Sequence, residues 1–285
     1  MKDNMINYNL HQHTSFSDGK EPPQKFVERA VELGFSHIGF SEHSPLPFPN
    51  LFSLKEENVE NYFETIKQLK EKCTEQIKIF RALEMDYIPG ISEDFTYWRE
   101  RCKTDYLIGS VHLVKPDGTN ELWFTDGPDY KIYDTGLQQF FGGDIRKAVK
   151  AFYHQTNRMI ESQDFEIIGH LDKIKMHNRG RYFSEDEKWY RNLLEETLEL
   201  VKKNNLIVEV NTRGVYKKTS DSLFPDHQTL KRVQELNVPV IISSDAHHPD
   251  EINNLFDYTE KRLVEFGFQE VMMLENHSWE SRSLQ

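Results

Sequence analysis

The chain has few cysteines and no long apolar run. Cys73 and Cys102 are its 2 cysteines; they form neither a CxxC pair nor a disulfide framework, and we expect both to be free thiols without a chemical role. No run of about eighteen apolar residues marks a membrane-spanning helix. The start, MKDNMINYNL, lacks the basic and apolar regions of a secretory signal. The sequence therefore predicts a cytoplasmic protein with no membrane partner.

Basic charge is also scarce. The chain carries 35 Lys and Arg against 47 Asp and Glu, a formal net charge of −12. Because a nucleic acid needs Lys and Arg to neutralise its phosphates, we expect no nucleic-acid partner and favour a small-molecule substrate. The sequence contains no internal repeat, low-complexity tract or linker, which predicts one domain over 1–285. It carries no signal for an oligomeric state.

Short β-branched runs alternate with longer amphipathic segments, which is typical of repeated βα units around a parallel sheet or barrel. The predicted strands are 5–11, 37–43, 77–86, 105–114, 165–172, 205–213 and 238–247, with a further one in 267–276. The predicted helices include 23–34, 59–73, 144–162 and 184–204. Ser184 and Glu187 form a capping-box pattern at the start of the last helix. Segments 44–53 and 115–144 are predicted as long loops, which in such folds carry function.

Histidines and carboxylates collect at the C-terminal ends of the predicted strands, the face where βα barrels build active sites. Side chains at i and i+2 of a strand point the same way, so the two histidines of HQH and the acid and imidazole of DAH can each face one cavity. Imidazole with carboxylate suits zinc, iron or manganese. The residues that predict this metal site are His11, His13, His43, Glu84, His112, His170, Asp245 and His247.

The motifs HQHTSFSDG, FSEHSPLP, ALEMDY, GSVH, IGHLD, EVNTRG and SSDAHH follow one another over most of the chain. In kind and order they resemble the polymerase and histidinol phosphatase (PHP) superfamily, specifically its histidinol-phosphate phosphatase branch. The resemblance implies an α/β fold, a distorted (βα)7 TIM-like barrel with its metal site at the C-terminal ends of the strands. It also implies hydrolysis of L-histidinol phosphate in histidine biosynthesis.

The resemblance further implies a ligand set for two to three divalent transition-metal ions, with Glu84 bridging two of them. The residues implied beside Glu84 at the first ion are His11, His13 and Asp245. Those implied at the second ion are His112 and His170. Those implied at the third ion are Asp18, His43 and His247.

Two metals that share a carboxylate lower the pKa of a bridging water, and we expect the resulting hydroxide to attack phosphorus. Asp245 or His247 could relay a proton to the leaving alkoxide, with Asp245 favoured. A guanidinium can bind phosphate through two parallel hydrogen bonds. Arg213 and Arg181 are therefore candidate substrate-binding residues, and Lys115 is a third.

Four other functions are alternatives to hydrolysis of histidinol phosphate. The same metals could hydrolyse another phosphomonoester, or a nucleotide or phosphodiester, although the net charge and the lack of a basic stripe disfavour a nucleic-acid substrate. An amidohydrolase also begins with HxH, but commonly bridges its metals with a modified lysine where this chain has Glu84. A barrel that only binds a partner is disfavoured because the candidate ligand set is complete.

Overall fold

The computed structural model describes residues 6–284. In chain order the strands are β1 (Tyr8–Asn9), β2 (His37–His43), β3 (Lys78–Asp86), β4 (Tyr106–Ser110), β5 (Leu113–Val114), β6 (Trp123–Phe124), β7 (Ile167–Ile168), β8 (Ile207–Asn211), β9 (Val240–Ser243), β10 (Glu270–Glu275) and β11 (Ser278–Ser283). The α-helices are α1 (Pro23–Glu32), α2 (Val59–Lys72), α3 (Phe95–Cys102), α4 (Tyr130–Phe141), α5 (Ile145–Ser162), α6 (Lys188–Lys203), α7 (Arg213–Tyr216), α8 (His227–Glu235) and α9 (Phe256–Glu265).

Parallel strands form a nearly closed barrel. The 7-stranded sheet has the order β1-β2-β3-β4-β7-β8-β9, and every neighbouring pair in it is parallel. A parallel bridge between Gln12 and Ala246 joins the chain just after β1 to the chain just after β9. The predicted distorted (βα)7 barrel is confirmed.

The strand registers bring the C-terminal strand ends to one level. His43, the last residue of β2, pairs with Glu84 of β3, and Asp86 pairs with Ser110, the last residue of β4. The opposite face is covered by the β10–β11 hairpin, whose Glu275 contacts His37 at the start of β2 with an Nε2 to Oε2 distance of 2.7 Å. The open face of the barrel is therefore the one that carries the candidate ligands.

The prediction is accurate at the central strands and wrong in the longest loop. The predicted strand 37–43 has the observed limits of β2, whereas 105–114 divides into β4 and β5. The first predicted strand, 5–11, reduces to β1, and its Met5 lies outside the described residues. Segment 115–144 contains β6 and the whole of α4. The helix forms there because the Asp129 side chain caps it by accepting a hydrogen bond from the Lys131 amide.

The capping-box prediction is also misplaced. Helix α6 begins at Lys188, and the Glu187 carboxylate accepts from the Ser184 amide at 3.0 Å within the turn that precedes it. Helices α3, α8 and α9 and strand β11 were not predicted. Within residues 6–284, no helix combines the length and apolar character needed to cross a membrane.

Candidate metal centre

Glu84 lies between two pairs of imidazoles on the floor of the open face, and its side chain is buried. Its Oε2 is 3.3 Å from Nε2 of His11 and 3.3 Å from Nε2 of His13. Its Oε1 is 2.8 Å from Nε2 of His170 and 3.5 Å from Nε2 of His112. Each carboxylate oxygen thus faces its own imidazole pair, and Oε2 also lies 3.2 Å from Nδ1 of His43. This is the arrangement expected of a group that touches two cations.

The bridge that closes the barrel also places candidate ligands. The His13 amide donates to the Ala246 carbonyl at 2.8 Å, so His11 and His13 flank Gln12 on one side and Asp245 and His247 flank Ala246 on the other. Strand alternation predicted this pairing, but both strands end before it, and Asp245 has a φ of 48°. A left-handed conformation at a non-glycine residue costs free energy and is common at functional sites.

A further group of donors lies toward solvent. The ligand atoms of this group are all within 4.8 Å of one another and belong to His13, Asp18, His43 and His247. Asp18 reaches it because the loop turns back at Gly19, where an added Cβ would lie 2.1 Å from the His13 carbonyl oxygen. The grouping matches the implied third site except that His13 also contributes to it.

Buried carboxylates orient several of the imidazoles, and they were not singled out from the sequence. Glu209 accepts from Nδ1 of His11, and Asp86 accepts from Nδ1 of His112 and lies 3.2 Å from Nδ1 of His43. Strand alternation predicts that Asp86, two residues after Glu84 on the same strand, faces the same side as Glu84. The sequence does mark Glu209, because it is an acid in the otherwise apolar strand run LIVEV.

The donor atoms fit divalent transition-metal ions. An ionised carboxylate can only accept hydrogen bonds, so the Nδ1 atoms of His11 and His112 carry protons. Each imidazole, once neutral as metal binding requires, has its lone pair on Nε2. Those lone pairs face other imidazoles, with Nε2 to Nε2 distances of 3.1 Å to His13 and 3.2 Å to His170. Nδ1 of His13 is buried and has no hydrogen-bond partner among residues 6–284. Lone pairs that converge in this way repel one another unless a shared cation lies between them.

The electrostatics of the cluster favour positive charge. Burial opposes protonation of His13, but hydrogen bonds to Asp245 and Glu84 raise the pKa of its imidazole to about 9. Burial likewise opposes ionisation of Asp245, yet His11 and Lys173 hold the pKa of that carboxyl well below its usual range. The carboxylates stay ionised and create a potential that attracts a cation.

A cavity of about 610 Å³ opens above the cluster. One side holds polar groups from the cluster together with Lys173 and Arg213, and the other side is mostly aromatic and aliphatic. The lining residues are Asp18, His43, Phe48, Asn50, Leu51, Phe52, His112, Leu113, Phe124, Asp126, Pro128, Ile132, Lys173, Arg213, Asp245 and His247. The predicted loop 44–53 therefore forms part of its wall.

Of the predicted substrate-binding residues, the structure brings only Arg213 to this cavity. Its guanidinium donates to the Asp245 carbonyl at 2.8 Å. Lys115 turns away, donating to the Pro89 carbonyl at 3.1 Å, and lines a separate cavity. Arg181 is held outside by a bidentate pair with Asp134 at 2.7 and 2.9 Å. The predicted roles of Lys115 and Arg181 in phosphate binding are therefore not supported.

Lys173 is a cation in the cavity that the sequence did not reveal. It follows β7 in a short 3-10 turn (Lys173–Lys175), and its side chain is 12% exposed. Its Nζ lies 3.0 Å from Oδ2 of Asp126 and 3.9 Å from Oδ2 of Asp245. No motif marks a lysine in such a turn, because the tertiary fold alone decides which way it points.

Comparisons with known proteins agree with this geometry. A family model described as PHP domain matches residues 9–213. The histidinol-phosphatase of Bacillus subtilis is 24% identical over 266 residues, which cover 87% of this chain and 96% of that relative. A solved structure from Listeria monocytogenes has a TM-score of 0.76 at 22% identity and covers 88% of this chain and 99% of that one. The solved histidinol phosphate phosphatase of Lactococcus lactis, in complex with zinc, L-histidinol and phosphate, has a TM-score of 0.67 at 22% identity, with 96% and 99% covered.

Proposed function

The chain belongs to the PHP domain family, and from that membership we propose that it is a metal-dependent phosphomonoester hydrolase that converts L-histidinol phosphate and water to L-histidinol and phosphate. One observation carries the proposal. The Glu84 carboxylate stands between two imidazole pairs and contacts His43 and His112, which line a cavity that also holds Lys173 and Arg213. That cavity combines cation ligands with groups that attract a phosphate dianion.

The metals of the proposal are two to three divalent ions of zinc, iron or manganese. The donors that would hold them are His11, His13, Asp18, His43, Glu84, His112, His170, Asp245 and His247. Such ions, when bound, polarise phosphoryl oxygens and lower the pKa of water so that it can attack phosphorus near neutral pH.

The chain's own cations bind and orient the substrate. Arg213 lies beside the Asp245 carbonyl with its guanidinium at the cavity wall, where it can donate parallel hydrogen bonds to two phosphate oxygens. Lys173 contributes a second positive charge to the lining of the same cavity. Together they fix the phosphate and offset the charge that develops in the transition state.

In this proposal Asp245 transfers the proton from the attacking water to the leaving group. The Asp245 carboxylate lines the cavity, with Oδ1 3.4 Å from Nε2 of His13 and Oδ2 3.9 Å from Nζ of Lys173. It can accept a proton from the attacking water and return it to the leaving alkoxide oxygen. His247 is the alternative relay, since its Nδ1 lies 3.0 Å from the Asp245 carbonyl oxygen and 3.5 Å from Oδ1 of Asp245.

The proposal also includes a small-molecule substrate as the ligand, a cytoplasmic location and a single domain over 1–285.

The test of the proposed function is a steady-state screen of purified protein with L-histidinol phosphate, other phosphomonoesters and bis-p-nitrophenyl phosphate, with metal content measured on the same sample. We expect the highest kcat/KM with L-histidinol phosphate and little turnover of the diester. Preferential diester cleavage, or no turnover of any ester by metal-loaded protein, would overturn the proposal.

A further inference from the structure

The cavity wall beyond the metal centre is aromatic. The Phe52 and Phe124 rings lie 5.5 Å apart between centroids, and Phe52 meets the His43 ring edge to face at 5.2 Å. Phe52 comes from the loop after β2 and Phe124 from β6, so two different segments build one surface. A flat ring that enters the cavity can pack against it.

An acidic residue, Asp126, lies next to this aromatic surface. One of its two carboxylate oxygens has no hydrogen-bond partner among the described residues. Asp126 follows Phe124 by two residues, and its side chain is 5% exposed. Its Oδ2 is 3.0 Å from Nζ of Lys173. Its Oδ1 is buried and, within the described part of the chain, has no hydrogen-bond partner. A buried carboxylate oxygen without a donor is unfavourable, and the free oxygen belongs to a residue that lines the cavity.

Asp126 is also held in place. The preceding residue, Thr125, donates to the His112 carbonyl through its amide at 2.9 Å and through its hydroxyl at 3.0 Å. The neighbouring β5–β6 hairpin pairs Leu113 with Phe124. The carboxylate therefore sits at a fixed position beside the metal centre, with its Oδ2 3.8 Å from Nε2 of His112.

We propose that Asp126, with Phe52 and Phe124, binds the alcohol part of the substrate and selects phosphate monoesters of amino alcohols that carry a flat ring. Oδ1 of Asp126 accepts a hydrogen bond from the protonated amine, and the ring packs on the two phenylalanines. Alcohols without a donor leave Oδ1 unpaired, and anionic alcohols meet a like charge. This inference rests on the proposed function and assigns the residues that read its leaving group.

Four phosphate monoesters separate the two contributions. L-histidinol phosphate has both amine and ring, 2-(imidazol-4-yl)ethyl phosphate has the ring alone, O-phosphoethanolamine has the amine alone, and ethyl phosphate has neither. For Asp126→Asn we expect kcat/KM to fall about tenfold or more for the two amines, the scale of a lost charge-assisted hydrogen bond. The two substrates without an amine should change by less than about threefold. Asp117→Asn, an exposed acid outside this cavity, is the matched control and should behave as wild type.

For Phe124→Leu we expect kcat/KM to fall for the two substrates that carry the ring and to stay nearly unchanged for the other two. An equal loss with all four substrates in Asp126→Asn would show that the residue only positions Lys173. A loss of bound metal in that variant would show that it is a ligand. Either result overturns the inference while leaving the proposed function standing. If wild-type protein hydrolysed none of the four, the proposed function would fail and the inference with it.

Discussion

Nδ1 of His11 donates a hydrogen bond to Oε1 of Glu209, which also accepts from the Ser243 hydroxyl. The other oxygen of Glu209 accepts from the His170 amide at 2.7 Å. One buried carboxylate thus orients candidate ligands from both imidazole pairs around Glu84. Partners of this kind fix the tautomer of a metal-binding histidine and increase its basicity.

Replacing Glu209 by Gln should therefore weaken metal binding without removing a ligand. We expect apparent metal affinity to fall roughly 10–100-fold, the range typical of such partners. Titration of chelator-treated protein in metal buffers measures this directly. Glu75→Gln, at an exposed position, is the matched control. Unchanged affinity in Glu209→Gln would mean that the hydrogen bond does not tune the site.

Glu84→Gln tests the bridging role. Elemental analysis of wild-type protein purified without chelator should find between two and three transition-metal ions per chain. A neutral amide cannot serve two cations as a carboxylate does, so the variant should lose both occupancy and most of its turnover. Fully active wild-type protein that contained no metal would refute the metal-centre interpretation.

The candidate ligands other than Asp18, which the family resemblance alone implied, were predictable because each lies in or close to a strand with a strong sequence signal. The run HIGFSEH has the observed limits of β2, and ALEMD ends β3 with Glu84 and Asp86. At such ends the chain direction and strand alternation fix where a side chain points. Asp86, two residues after Glu84, faces the same side of β3 for the same reason.

The substrate-facing residues were not predictable in this way. Lys173 and Asp126 lie in turns whose direction depends on packing against distant segments. Lys115 is only three residues after His112, yet it faces another cavity. Arg181 lies in the loop after β7 and pairs with Asp134 of α4, a helix that the sequence did not reveal. Sequence proximity to a strand end therefore identifies ligands better than it identifies loop contacts.

Arg213→Ala tests phosphate recognition. The guanidinium is partly buried and lines the cavity, so its loss should lower kcat/KM for L-histidinol phosphate by roughly 2–4 kcal/mol of transition-state binding. Metal content should stay normal. Because Arg213 also donates to the Asp245 carbonyl, Arg213→Lys serves as the comparison and should recover part of the loss. Unchanged kinetics in the alanine variant would assign phosphate binding to Lys173 and the metals.

Lys173 and Lys115 form a natural pair for comparison, since one faces the cavity and the other does not. Lys173→Met should reduce kcat/KM by about 1.5–3 kcal/mol, the contribution of a hydrogen bond to a charged group. Inhibition by inorganic phosphate should weaken in parallel. Lys115→Met should leave both quantities unchanged. Equal effects of the two substitutions would contradict the assignment of Lys173 to the substrate.

The identity of the nucleophile gives the final prediction. Among the described residues, those that line the cavity carry no hydroxyl or thiol side chain. The Asp245 carboxylate is engaged by His13 and the Asn211 side-chain amide, and the Asp126 carboxylate by Lys173. An enzyme that attacks with its own side chain needs such a group beside a free base. Water is then the attacking group, and a single in-line displacement inverts the configuration at phosphorus, whereas a phosphoryl-enzyme gives two displacements and net retention. We therefore expect inversion with a chiral, isotopically labelled phosphate ester. Retention, or transfer of phosphate to an added alcohol with labelling of a side chain, would show that a residue of the chain attacks phosphorus even if the metals lie where we place them.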